Sequence, residues 1–308
     1  MKERILAVGA VVLLIAGALV ARDAIAGDDT GGGKTASSGK PVVACTQDLI
    51  EVCDALADAG EIAADPPVLD LDQAADPPDD IDSWITWDPA PRIANFDAEG
   101  TWSSPTVLGT APLSVVAADG ALAAGCPDET TWACLARSAE AGLAIGVGRP
   151  STAEGIARLA PLARALTDAD DPDALDVLAL ADLVAGPSGG QRDAAHQADA
   201  LVVTPGALDA VVGPAPVLTR AAGTPRGQGR ELDVREPAPE ASAGVVLVSR
   251  PDHRHDLPDL CEPPDEPSLL RLAAGVALVD AGIEDACVGD LATDQVAGFL
   301  YRVRQDLE

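Results

Sequence analysis

From residue 41 onward, short β-branched runs alternate with Ala- and Leu-rich stretches of helical period, and this alternation constrains the fold more than any single motif. PVVAC (41–45) reads as a first strand. Thr46 then offers an N-cap to a helix over 48–59, whose apolar residues Leu49, Ile50, Val52, Cys53 and Leu56 share one face. SWITW (83–87) reads as a second strand closed by Asp88-Pro89, and 106–118 as two strands meeting at 109–112. Further strands are expected at 143–147, 199–203 and 244–249. Helices are expected at 131–141, 151–166, 173–184, 205–212, 269–281 and 292–307, with 61–82 and 213–240 irregular. The helix at 151–166 opens on Ser151-x-x-Glu154, a capping-box pattern. Strands and helices in this order predict an α/β fold with largely parallel sheets.

Aromatic residues make up 2% of the chain against 47% hydrophobic, so the core is expected to be Ala, Val, Leu and Ile. The net charge of −30, with no lysine beyond Lys40, argues against nucleic-acid binding, because affinity for a phosphate backbone rests on Lys and Arg displacing counterions.

Lys2 and Arg4 precede an uncharged apolar run at 5–21. A positive start before such a run marks a signal or membrane anchor, and the positive-inside rule places the remainder of the chain outside the cytoplasm. Residues 1–26 are therefore the signal or anchor segment, and an uncleaved transmembrane anchor is favoured over cleavage after Ala24-Ile25-Ala26. The Gly-, Ser- and Thr-rich stretch 27–40 reads as a flexible linker. The protein is thus expected at the cell membrane with an extracytoplasmic domain, or secreted if the signal is cleaved. Six cysteines, at 45, 53, 126, 134, 261 and 287, fit an oxidising compartment. They permit 15 connectivities. Pairing of sequence neighbours is expected: Cys45–Cys53, Cys126–Cys134 and Cys261–Cys287. No CxxC pair suggests zinc.

Four segments in this order resemble the type 2 periplasmic, or extracellular, solute-binding proteins. They are PVVACTQDLIEVCDALADAG (41–60), SWITWDP with LGTAPLSVVA (83–89 and 108–117), TWACLARSAEAGLAIGVGRPSTAEGIARL (131–159), and ADALVVTPGALDAV with the return strand GVVLVS (198–211 and 244–249). The resemblance implies two α/β lobes joined by two crossovers, with a ligand held in the cleft. Lobe one would comprise 41–111 plus 244–308, and lobe two 112–243. It also implies a small solute as ligand and an ABC-type permease as partner, with no cofactor and no enzymatic role.

The cleft would hold ligand between Thr46, Trp87 and Arg92 on one side and Arg149, Ser151, Thr152 and Thr204 on the other. The turns at 45–47 and 149–152 precede helices, whose first N–H groups favour anions, and Arg149 suits an oxyanion. A small polar or anionic solute is accordingly expected. Set against this, Thr46 and Ser151 serve equally as plain N-caps, and Asp48 competes with an anion at Thr46. Of the clustered aromatics Trp84, Trp87, Phe96 and Trp102, at least three are expected in the core. His253 and His255 lie in a polar, Pro-flanked stretch, and the acidic run 76–82 lacks the Gly and spaced Glu of an EF-hand, so neither marks a metal site. No G-x-S-x-G, H-E-x-x-H or P-loop motif is present. The reading of a different class is an envelope scaffold or sensor ectodomain that keeps the fold without transport.

Overall fold

The computed structural model describes residues 39–166, 177–185, 193–251, 283 and 291–307. The apolar run 5–21, the histidines at 253 and 255, Cys261, Cys287 and the helix expected at 269–281 lie outside them. Among the described residues no helix is long and apolar enough to cross a membrane.

The sheet runs β1 (Val43–Cys45), β2 (Ser83–Trp87), β7 (Ser242–Ser249), β3 (Thr106–Ala118), β5 (Ala210–Pro214), β4 (Ile145–Gly146), with β6 (Leu232–Arg235) also on β3. Only β1–β2 and β4–β5 are parallel, whereas every pairing of β3 and β7 is antiparallel. The expectation of largely parallel sheets is corrected on this point. The stretch 106–118 is one strand, not two. Its register shifts between Val107 and Gly109, and it continues through Pro112 because Pro sits where the pairing partner changes. Thr106–Pro112 pair with β7, and Leu113–Ala118 pair with β5 and β6. Two pairing sets therefore share β3: β1, β2 and β7 with its first half, and β4, β5 and β6 with its second.

Helices cover these strands. They are α1 (Ile50–Asp58), α2 (Ala90–Asp97), α3 (Trp132–Ala136), α4 (Ala153–Leu166), α5 (Val177–Ala185), α6 (Ala194–Val203), α7 (Ala215–Gly223), α8 (Pro225–Gly229) and α9 (Asp294–Leu307). Two expected elements are exchanged. Residues 199–203 end helix α6 and are not a strand, and the strand β5 replaces the helix expected at 205–212. Asp193 explains the first exchange, since its carboxylate accepts the His196 N–H and starts a helix ten residues long. The region 213–240, expected irregular, holds α7, α8 and β6.

The core is built from Val, Leu, Ile and Ala, with Trp84, Trp87, Trp102 and Trp132 buried in it and Phe96 half-exposed against Tyr301. Trp84 and Trp102 meet with ring centroids 5.6 Å apart. α4 is buried on nearly every side, as a helix enclosed between neighbours is, and carries Pro161 inside it. Disulfides join Cys45 to Cys53 and Cys126 to Cys134, with Cα separations of 6.2 and 5.4 Å. The first pins β1 to α1. Asp82 is not part of a solvated acidic loop: it is buried, and its Oδ2 accepts the Val42 N–H at 2.7 Å.

Candidate functional site

The end of β1 and the start of α4 face each other across a cavity of about 190 Å³. Thr46, Gln47, Asp48, Asp70 and Leu71 line one side. Gly148, Arg149, Thr152, Ala153, Glu154, Arg158 and Asp193 line the other.

On the first side the chain leaves β1 at Cys45 and turns through a short 3₁₀ segment, Gln47–Leu49, before α1. Thr46 is buried and extended, and its hydroxyl caps nothing. Asp48 is exposed toward the cavity yet densely surrounded by protein. That enclosure pushes its pKa up, while the Trp87 indole N–H, donating to its Oδ2, pulls the other way. Trp87 thus reaches the site through Asp48.

On the second side β4 turns into α4 over Gly148–Thr152. Gly148 and Gly155 permit this, because a Cβ on Gly148 would lie 1.9 Å from the Gly155 Cα. Thr152, not Ser151, is the N-cap: its hydroxyl accepts the Gly155 N–H at 3.1 Å. Ser151 does not line the cavity. Glu154 is therefore free of the capping box expected of it. It turns inward, accepts the Ala194 N–H at 3.0 Å, and lies 4.0 Å from Arg158. Burial pushes its carboxyl up to about 7, against the pull of Arg158 and with further raising from Asp48 and Asp193.

Arg158 is 1% exposed. Its Nε donates to Val212 O at 2.7 Å, and Nη2 donates to Gly146 O and Gln197 Oε1, so it ties α4 to β4, β5 and α6. Among the described residues its Nη1 has no hydrogen-bond partner. Burial lowers its pKa while Glu154, Asp193 and Asp48 raise it. Asp193 is held below its ordinary range, burial being outweighed by the His196 backbone and side-chain hydrogen bonds.

Of the seven expected ligand residues, Thr46, Arg149 and Thr152 line this cavity. Arg92 instead donates to Ala292 O and to Asp294 Oδ1, at 3.0 Å for the latter, and so ties α2 to the start of α9. Thr204 ends α6, because the strand that would have aimed it at a cleft is a helix. Sequence reasoning missed Glu154, Arg158, Asp193 and Asp70. The Glu154–Arg158 spacing of four on a helix was visible, but such a pair usually marks a solvated face. A second cavity, of about 350 Å³, lies beside the shared strand. It is lined by Asp88, Thr110, Arg164, Glu240 and Ser242 among others.

No protein family model matches the chain, and no curated protein does. Solved structures do. The fructose-6-phosphate-bound periplasmic binding protein AfuA from Actinobacillus pleuropneumoniae aligns at TM-score 0.55 and 12% identity, over 88% of this chain and 98% of that one. Iron-bound HitA from Pseudomonas aeruginosa aligns at 0.56 and 11%, over 87% and 99%. The open form of ferric iron-binding protein A from Mannheimia haemolytica aligns at 0.51 and 11%, over 88% and 98%. The chain has the type 2 periplasmic-binding-protein fold. The resemblance expected from four sequence segments therefore holds at the level of fold. The cavity of about 190 Å³ lies where the residues that follow β1 face the start of α4.

Proposed function

We propose that the protein is an extracytoplasmic solute-binding protein that captures a small polar solute between two lobes for an ABC-type transporter. Lobe one would be 41–111 plus 244–308 and lobe two 112–243, with the membrane tether supplied by residues 5–21. The observation that carries this reading is the cavity between Thr46–Asp48 and Gly148–Arg158, built from residues about a hundred positions apart. Solute sites in open α/β folds sit in such crevices beyond strand ends. Solved proteins of this fold bind a sugar phosphate or iron, which supports a binding role without naming this solute. The two disulfides favour export.

The test is native mass spectrometry of the full chain in detergent, together with small-angle scattering before and after extensive dialysis. A stoichiometric small molecule whose loss opens the particle is expected. Absence of any bound molecule, with no response to a metabolite library, would leave the scaffold or sensor reading standing instead.

A further inference from the structure

The cavity between β1 and α4 holds charges of both signs that do not cancel among themselves. Arg158 is fixed by three hydrogen bonds, is 1% exposed, and among the described residues leaves Nη1 with no hydrogen-bond acceptor, with Glu154 only loosely paired to it at 4.0 Å. A buried donor without an acceptor is costly, and a buried guanidinium more so. Arg149 and the first residues of α4, Ala153 and Glu154, border the same space. Together they call for an anionic oxygen on the solute.

Four carboxyl groups line the same cavity: Asp48, Asp70, Glu154 and Asp193. A plain anion would share the cavity with these carboxyl groups, and those that are ionised oppose it. A plain cation would satisfy Asp48 and Glu154 but leave Nη1 unpaired beside a second positive charge. A metal ion fits poorly as well, since among the described residues no group of His, Cys, Asp and Glu is arranged to hold one.

We infer that the solute is amphoteric: a small molecule carrying a cationic nitrogen and an anionic oxygen group a few ångströms apart. The inference rests on the solute-binding reading and narrows it. The cationic nitrogen sits between Asp48 and Glu154, and the anionic group points toward Arg158 and Arg149. The cavity, about 190 Å³, sets the size limit.

The test compares one carbon skeleton with each end removed. The full chain in detergent is titrated calorimetrically with β-alanine, glycine, glutamate and 2-aminoethyl phosphate. Propionate and phosphate serve as anion-only probes, propylamine as the cation-only probe, and glucose as the neutral probe. At least one amphoteric probe is expected to bind 100-fold or more tightly than either of its halves. The Asp48→Asn variant is expected to lose at least tenfold of that affinity while its affinity for the anion-only probes rises. Equal or tighter binding of an anion-only, cation-only or neutral probe overturns the amphoteric assignment but leaves solute binding intact. A flat response to every probe overturns the assignment, and, if no copurifying molecule is found either, the solute-binding reading falls with it.

Discussion

Gly148 and Gly155 pack backbone against backbone: a Cβ on Gly155 would lie 2.0 Å from the Arg149 carbonyl oxygen, inside any tolerable contact. This approach brings the start of α4 against the β4 turn and sets Arg149, Thr152 and Glu154 around one space. No side-chain adjustment relieves the clash, because the two nearest obstructing atoms are the backbone O and N of Arg149. Gly155→Ala is expected to destabilise the fold by about 3 kcal/mol or more, read from the urea midpoint. Gly229→Ala, where a Cβ meets nothing within 4 Å, is the matched control and is expected to be neutral or slightly stabilising.

The Trp87–Asp48 hydrogen bond makes a different prediction. Trp87→Phe keeps an aromatic ring in the core and removes only the indole donor. The lost bond and the slightly smaller ring together are expected to cost about 1–2 kcal/mol. Because the Trp87 bond lowers the Asp48 pKa against its burial, the Asp48 carboxyl is expected to titrate still higher in the variant. Carbon-detected NMR titration of that carboxyl reads the shift, and an unchanged or lower pKa refutes it.

Glu154 makes stability depend on pH with a definite sign. Its pKa in the folded state, about 7, lies above the ordinary 4.5. Between those values the folded chain binds more protons than the unfolded one. The Glu154 contribution is therefore greatest below about pH 4.5 and is lost as pH rises toward 7. Asp48 and Asp193 face it with raising influence, and Arg158 and the Ala194 N–H with lowering influence. In Glu154→Gln the change in urea midpoint between pH 5 and pH 8 is expected to shift toward less loss at pH 8. A profile that superimposes on the wild type rejects this account.

The Cys45–Cys53 bridge closes a loop of eight residues that contains Thr46 and Asp48. Chain-entropy reasoning gives about 2–3 kcal/mol for such a loop. Replacing both cysteines by alanine is expected to cost about that amount. It is also expected to weaken solute affinity further than the matched Cys126, Cys134 double replacement, whose loop lies outside the cavity between β1 and α4. Calorimetric titration with the best amphoteric probe separates the two. Equal effects on affinity would mean the first bridge does not position the site.

Much of the fold was legible where local signals agree. SWITW was readable as a strand because it is bounded by Asp88-Pro89, and the strand–turn–helix around 145–166 because LAIGV leads through Arg149-Pro150-Ser151 into a stretch of helical period. Three cavity residues, Thr46, Arg149 and Thr152, come from that logic. The rest was hidden by tertiary context. Val202 and Val203 have strand-like side chains, yet the Asp193 cap and packing on β5 and α7 carry the helix through them. Glu154 fits a capping box only if Ser151 is the cap. With Thr152 capping α4, the same carboxyl turns inward to Ala194. Arg158 on a helix of Ala and Leu gave no signal that its partners, Val212, Gly146 and Gln197, lay on three other elements.

β3 pairs with β7 over its first half and with β5 and β6 over its second, with Pro112 and Leu113 at the changeover. A cut at that point would part β7 from β2 and from the first half of β3, while the second half of β3 would keep β4, β5 and β6 in one fragment. The second pairing set is thus one continuous stretch of chain, whereas the first is assembled from two stretches that flank it and cannot be transplanted by a single splice.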